Sequence, residues 1–130
     1  MSKRIALTFI LILMAAVVFA ADKSDAQPQP KGKLTKVESK TVCMVNEQAM
    51  GKDQIAVTVD GKTYYGCCEM CKKTLAENAE KRVAIDPISG NKVDKATAII
   101  AAQEDGRVFY FENEENLTKY NAKAEITVTK

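Results

Sequence analysis

The sequence predicts an α+β chain built from two tandem β-hairpin-plus-helix modules, and three observations carry that prediction. Ile55, Val57 and Val59 alternate with Ala56 and Thr58 and run into Asp60-Gly61, a dipeptide suited to a tight hairpin turn. Three cysteines in five residues, Cys67-Cys68-Glu69-Met70-Cys71, follow the returning strand at the point where helix-favouring residues begin. The same order of features then recurs after Pro87, without the thiols.

Taken from the start, the chain opens on Lys3 and Arg4 and then runs almost unbroken in apolar residues from Ile5 to Ala20. Small residues at Val18-Phe19-Ala20-Ala21 place a cleavage point after Ala20 or Ala21, so residues 1–21 are expected to be a signal peptide. The apolar run is shorter than the roughly 20 residues that a membrane-spanning helix needs. Export implies a periplasmic or secreted protein in which disulfides are chemically accessible. Residues 22–36 are polar, carry Pro28 and Pro30, and lack a hydrophobic period, which suggests a disordered leader.

The 130-residue chain holds 19 basic and 17 acidic residues, and losing Lys3 and Arg4 with the signal would leave it neutral. A neutral chain without a basic run gives no footing for nucleic acid or for an anionic membrane surface.

The first module is expected over residues 37–84. It comprises the strand around Ile55 to Val59, a return strand from Lys62 to Gly66, and a helix from Cys67 or Cys68 to about Glu80. The second, over residues 85–130, repeats it with Ala96 to Ala102, a turn at Glu104-Asp105-Gly106, Arg107 to Phe111, and a helix from Asn113 to about Tyr120. Aligning Gly61 with Gly106 sets Tyr65 against Tyr110, Cys67 against Glu112, Cys71 against Asn116 and Leu75 against Tyr120. Upstream, Cys43-Met44-Val45-Asn46 corresponds to Asp86-Pro87-Ile88-Ser89. Ala124, Ile126 and Val128 alternate with polar residues and suggest a closing strand.

Cys43, then Cys67 and Cys71 preceded by Gly61-Lys62-Thr63-Tyr64-Tyr65, resembles the TRASH domain, a cysteine module related to treble-clef zinc folds and associated with heavy-metal sensing and trafficking. Asp86-Pro87-Ile88-Ser89-Gly90 through Val108-Phe109-Tyr110-Phe111 is similar to the related YHS domain. The resemblances cover roughly residues 42–122. They imply treble-clef-like modules, of which the second is a degenerate copy without cysteines.

The chemistry points to metal independently. Residues on a helix advance by about 100°, so Cys67 and Cys71 lie about 40° apart in projection and Cys68 about 60° further round. All three can share one sector at a helix N-terminus, where N–H dipoles favour thiolate. Cys43 would complete three or four sulfur ligands, a set suited to zinc or copper(I). A structural zinc contributes about 10–16 kcal/mol of apparent binding energy in small peptides, against about 2–4 kcal/mol for one disulfide. The competing uses of the same thiols are a disulfide-stapled, non-enzymatic interaction module and, less favoured, a thiol-disulfide oxidoreductase built on Cys68-Glu69-Met70-Cys71. A hairpin feeding a helix differs from the βαβ crossover of a thioredoxin-like sheet, and a chain with no histidine lacks the usual general base.

The expected function is therefore non-catalytic capture, buffering or delivery of a thiophilic metal. A metal transporter or an exported metalloprotein would be the macromolecular partner, with no membrane association once the signal is removed. Met44, Met50 and Met70 admit either soft ligation or ordinary packing. Tyr64, Tyr65, Phe109, Tyr110 and Phe111 are expected in the core. Glu112, Glu114 and Glu115, near Asp86, read as a solvated helix start more readily than as a hard-cation site.

Overall fold

A computed structural model describes residues 29–128, so the signal peptide expected at 1–21 and the leader through residue 28 lie outside the described residues. No described helix is long and apolar enough to cross a membrane. The architecture of the described residues is α+β, with several small antiparallel sheets and two α-helices.

In chain order, β1 is Thr35–Lys36, β2 is Val42–Cys43 and β3 is Gln48–Ala49, with a short 3-10 turn at Ser39–Thr41 between the first two. Strands β4 (Ile55–Val59) and β5 (Lys62–Gly66) form the predicted hairpin, followed by helix α1 (Glu69–Glu77). Asp60 and Gly61 both take positive φ, 51° and 75°, as a two-residue turn matched to strand twist requires. After a 3-10 helix at Ala79–Arg82 the order repeats: β6 (Val83–Ile85) with β7 (Lys92–Asp94), β8 (Ile99–Ala102) with β9 (Val108–Phe111), then helix α2 (Glu114–Val128). Each half is thus a small knuckle of two short strands, a longer hairpin and a helix. Ile55 faces Gly66 and Ile99 faces Phe111 at the same end of the two hairpins.

Four expectations need correction. The residues before 37 do not all form a disordered leader: Leu34 is buried, β1 pairs with β8, and the Asn121 side chain both donates to and accepts from the Leu34 backbone at 2.9 and 2.8 Å. Helix α1 stops at Glu77 rather than near Glu80, where Asn78 turns the chain into the 3-10 helix and Arg82 donates to the Leu75 carbonyl at 2.6 Å. The closing strand at Ala124, Ile126 and Val128 is instead the last part of α2. Three alternating positions carry little weight against a run of Ala, Lys and Glu, and Ile126 is 75% exposed on this helix. The boundary expected between residues 84 and 85 falls inside β6.

The halves share their interior. Val42, Met44, Val57, Tyr64 and Leu75 from the first half form one core with Ala84, Val93, Ile100, Val108 and Tyr110 from the second. A second cluster joins Leu34, Ala101, Phe109, Phe111 and Leu117. Phe109, Tyr110, Phe111 and Tyr64 are buried, as expected of hairpin aromatics. Asp94 ties β7 back to the first hairpin, accepting from Tyr64 Oη at 3.0 Å and Lys62 Nζ at 2.7 Å.

Candidate metal centre

Three elements deliver the sulfurs. Cys43 ends β2, Cys67 follows β5, and Cys71 lies in the first turn of α1, with Cys68 as the residue that begins the helix. The Sγ atoms of Cys43, Cys67 and Cys71 all lie within 4.8 Å of one another. Cys71 is the hub: its sulfur is 3.9 Å from Cys43, 3.6 Å from Cys67 and 3.6 Å from Cys68. Cys68 therefore touches the group through Cys71 but stands outside the mutually close trio. Cys43 and Cys71 are buried, Cys67 is half-buried and Cys68 is exposed.

These distances discriminate between uses. A disulfide requires about 2.05 Å between sulfurs, and all four cysteines are free. Zinc–sulfur bonds of about 2.3 Å set tetrahedral ligands about 3.8 Å apart, and a trigonal set with the same bonds about 4.0 Å apart. The two trio contacts through Cys71, 3.9 Å to Cys43 and 3.6 Å to Cys67, are of that size. The cluster could hold a metal ion through Cys43, Cys67 and Cys71.

The electrostatics divide the four thiols, two below and two above the ordinary thiol value. Burial opposes ionisation of Cys43, yet the backbone N–H groups of Asn46, Cys67 and Val45 outweigh it and hold the thiol below its ordinary value. Burial, joined by the neighbouring sulfurs, pushes Cys71 up to about 12. Cys67 is raised, chiefly through its thiol contact with Cys43, while Cys68 is lowered by the Cys71 N–H and thiol. A bound cation would reverse the penalty on Cys71, because a coordinating thiol is deprotonated by the metal's charge.

Several residues that support the site were not evident from the sequence. Asn46 Nδ2 donates to Cys67 Sγ at 3.4 Å. Behind the Cys43 loop, Lys95 is 2% exposed and donates to the Met44 carbonyl at 2.8 Å and to Glu47. Its Nζ also lies 5.2 Å from the centre of the Tyr110 ring. Glu47 itself has φ of 56°, so a residue in the left-handed region is anchored by an ammonium from the second half. A buried lysine contradicts its usual placement, and no local sequence signal announces one.

Gly66 has a different task. A Cβ there would fall 2.8 Å from Cys71 Cβ, so only glycine lets β5 approach the first turn of α1 closely enough to bring the sulfurs together. Gly66→Ala is expected to lower stability by about 1–3 kcal/mol, as overpacking does. It should also weaken zinc binding at least about tenfold, since displaced ligands hold metal poorly. Urea unfolding of the apo protein and competition with a chromogenic chelator would measure the two effects separately.

The second half presents the same construction in different chemistry. Asp86, aligned with Cys43, is fully buried; its Oδ1 accepts from Ile88 N at 2.7 Å and Ser89 N at 3.2 Å, the second and third residues after it. Val45 and Asn46 stand in the same relation to Cys43. Asp86 Oδ2 accepts from Glu112 N and Asn116 Nδ2, both at 2.8 Å, at the positions aligned with Cys67 and Cys71. A carboxylate gripped by four N–H donors thus stands where the other half has sulfurs. Glu112 binds Asn91, Glu114 pairs with Lys36 and Glu115 with Lys119, so these acids are engaged with the protein. Of the methionines, Met44 is core, whereas Met50 is partly exposed and Met70 is 77% exposed.

No family model, curated protein or solved structure matches the chain.

Proposed function

We propose that this protein captures, buffers or hands on a thiophilic metal ion, zinc or copper(I), outside the cytoplasm and without catalysing a reaction. The observation that carries the proposal is the trio of Cys43, Cys67 and Cys71 sulfurs, held within 4.8 Å of one another by three separate elements. Two buried sulfurs and one half-buried sulfur suit retention, and an exposed Cys68 beside them suits exchange with a donor or acceptor. The knuckle, hairpin and helix order supports the resemblance to treble-clef-like TRASH and YHS modules. The basic and apolar start supports export by a signal peptide. A metal transporter or an exported metalloprotein is the partner such a role calls for.

The test is native mass spectrometry of the fully reduced protein, titrated with Zn(II) and with Cu(I), followed by alkylation of accessible thiols. One metal per chain, with Cys43, Cys67 and Cys71 protected and Cys68 still reactive, is the expected result. Absence of a stoichiometric adduct, or equal alkylation of all four cysteines with and without metal, would overturn the reading.

A further inference from the structure

We infer that Cys68 is a thiol-disulfide exchange site for a small-molecule disulfide, and that the Cys68–Cys71 disulfide it produces withdraws Cys71 from the metal and discharges the ion. The metal-release half of this inference rests on the function proposed above; the exchange half does not.

The geometry assigns the roles. Cys71 sits in two sets at once: it touches Cys43 and Cys67 inside the trio and Cys68 outside it, at 3.6 Å. Cys68 is the exposed member of the four and the one an external disulfide can reach. Its backbone is extended at the residue that begins α1, and Cys71 lies one turn into that helix, so the two sulfurs close a short loop of four residues. The sulfurs have only to close from 3.6 Å to the bond length of about 2.05 Å. Cys67 is a poorer attacker, being half-buried, in the trio, and engaged by Asn46 at 3.4 Å.

The exchange balances. The Cys68 thiolate attacks one sulfur of the small disulfide, forming a mixed disulfide and expelling one small thiolate. The Cys71 thiolate then leaves the metal and attacks the Cys68 sulfur, forming the Cys68–Cys71 bond and expelling the second small thiolate. Two electrons pass from the protein dithiol to the small disulfide. The metal keeps its charge throughout and is left on Cys43 and Cys67 alone, two ligands where it had three.

The test uses the full chain loaded with Zn(II) and challenged with oxidised glutathione, with zinc release followed by a chromogenic chelator and disulfides located by differential alkylation and peptide mass. The expected result is release coupled to a Cys68–Cys71 disulfide. Cys68→Ser should bind zinc as tightly as the parent and release it at least about tenfold more slowly. Release from Cys68→Ser at the parent rate, or a disulfide between other cysteines, would overturn the inference. Weaker zinc binding by Cys68→Ser would also overturn it, by showing that Cys68 is a ligand. A chain that takes up no zinc yet still forms the Cys68–Cys71 disulfide would sustain the exchange site while defeating the metal function and its gating.

Discussion

Cys71→Ser is expected to abolish stoichiometric metal uptake, lowering affinity by more than about a hundredfold. Losing a partner of a ligand already costs about 10–100-fold in metal affinity, and loss of the ligand itself exceeds that. Cys71 is the worst sulfur to lose, because it contacts all three others. Serine offers a hard oxygen that stays protonated at neutral pH, in place of a soft thiolate. The change replaces one sulfur by a smaller oxygen at a buried position and leaves the larger core side chains such as Leu75 in place, so the apo fold should survive it. Chelator competition on the parent and the variant reads the affinity, and near-ultraviolet circular dichroism of the tyrosines checks the fold. Affinity retained within a few fold would remove Cys71 from the site.

The second large effect is expected at Asp86, where no metal is involved. Asp86→Ala empties a fully buried position and strands the part-buried N–H groups of Ile88, Ser89 and Glu112 and the buried Asn116 amide. Each unsatisfied buried group costs about 1–3 kcal/mol, part of which relaxation recovers, so a net loss of about 3 kcal/mol is expected in urea unfolding. Acid should reveal the same contact. Burial alone would raise the Asp86 pKa, but donation from Asn116, Glu112, Ile88 and Ser89 outweighs it and holds the carboxyl below its ordinary value. A folded pKa below the unfolded one, about 3.9, means the contribution is full above that pH and vanishes as pH falls through the folded value. Asp86→Asn should therefore narrow the stability gap to the parent as pH drops below about 4. A gap that stays constant there would deny the carboxylate this role.

What the sequence revealed and what it hid follow from the range of the interactions. Hairpin β4–β5 was legible because alternation and an Asp-Gly turn are local, and the turn dihedrals demand those residue types. The convergence of Cys67 and Cys71 was expected from one helical turn, but Cys67 lies before the helix, and the close approach of β5 at Gly66 to the first turn of α1 is what sets the two sulfurs 3.6 Å apart. Pairing Cys43 with them needed only the assumption that the preceding segment returns, which the Met44 N–H to Tyr65 carbonyl bond at 2.9 Å accomplishes. Strand β1 was hidden: two residues carry no period, and their partner is β8, far along the chain. The knuckle strands, two or three residues each, were hidden for the same reason. Lys95 and Asp86 are charged residues at buried positions, where composition argues for exposure and only tertiary partners reverse it.

Four N–H bonds around one carboxylate also make the second half an internal reference for the first. Both halves are closed at the same point of the same element order, one by sulfurs that could hold an ion and one by N–H donors that are always present. Amide hydrogen exchange, followed in a single sample while chelator is added and withdrawn, can compare the two closures directly. Protection around Asp86 supplies the baseline, and the change around Cys43 reports what the ion alone contributes to holding a knuckle against its helix.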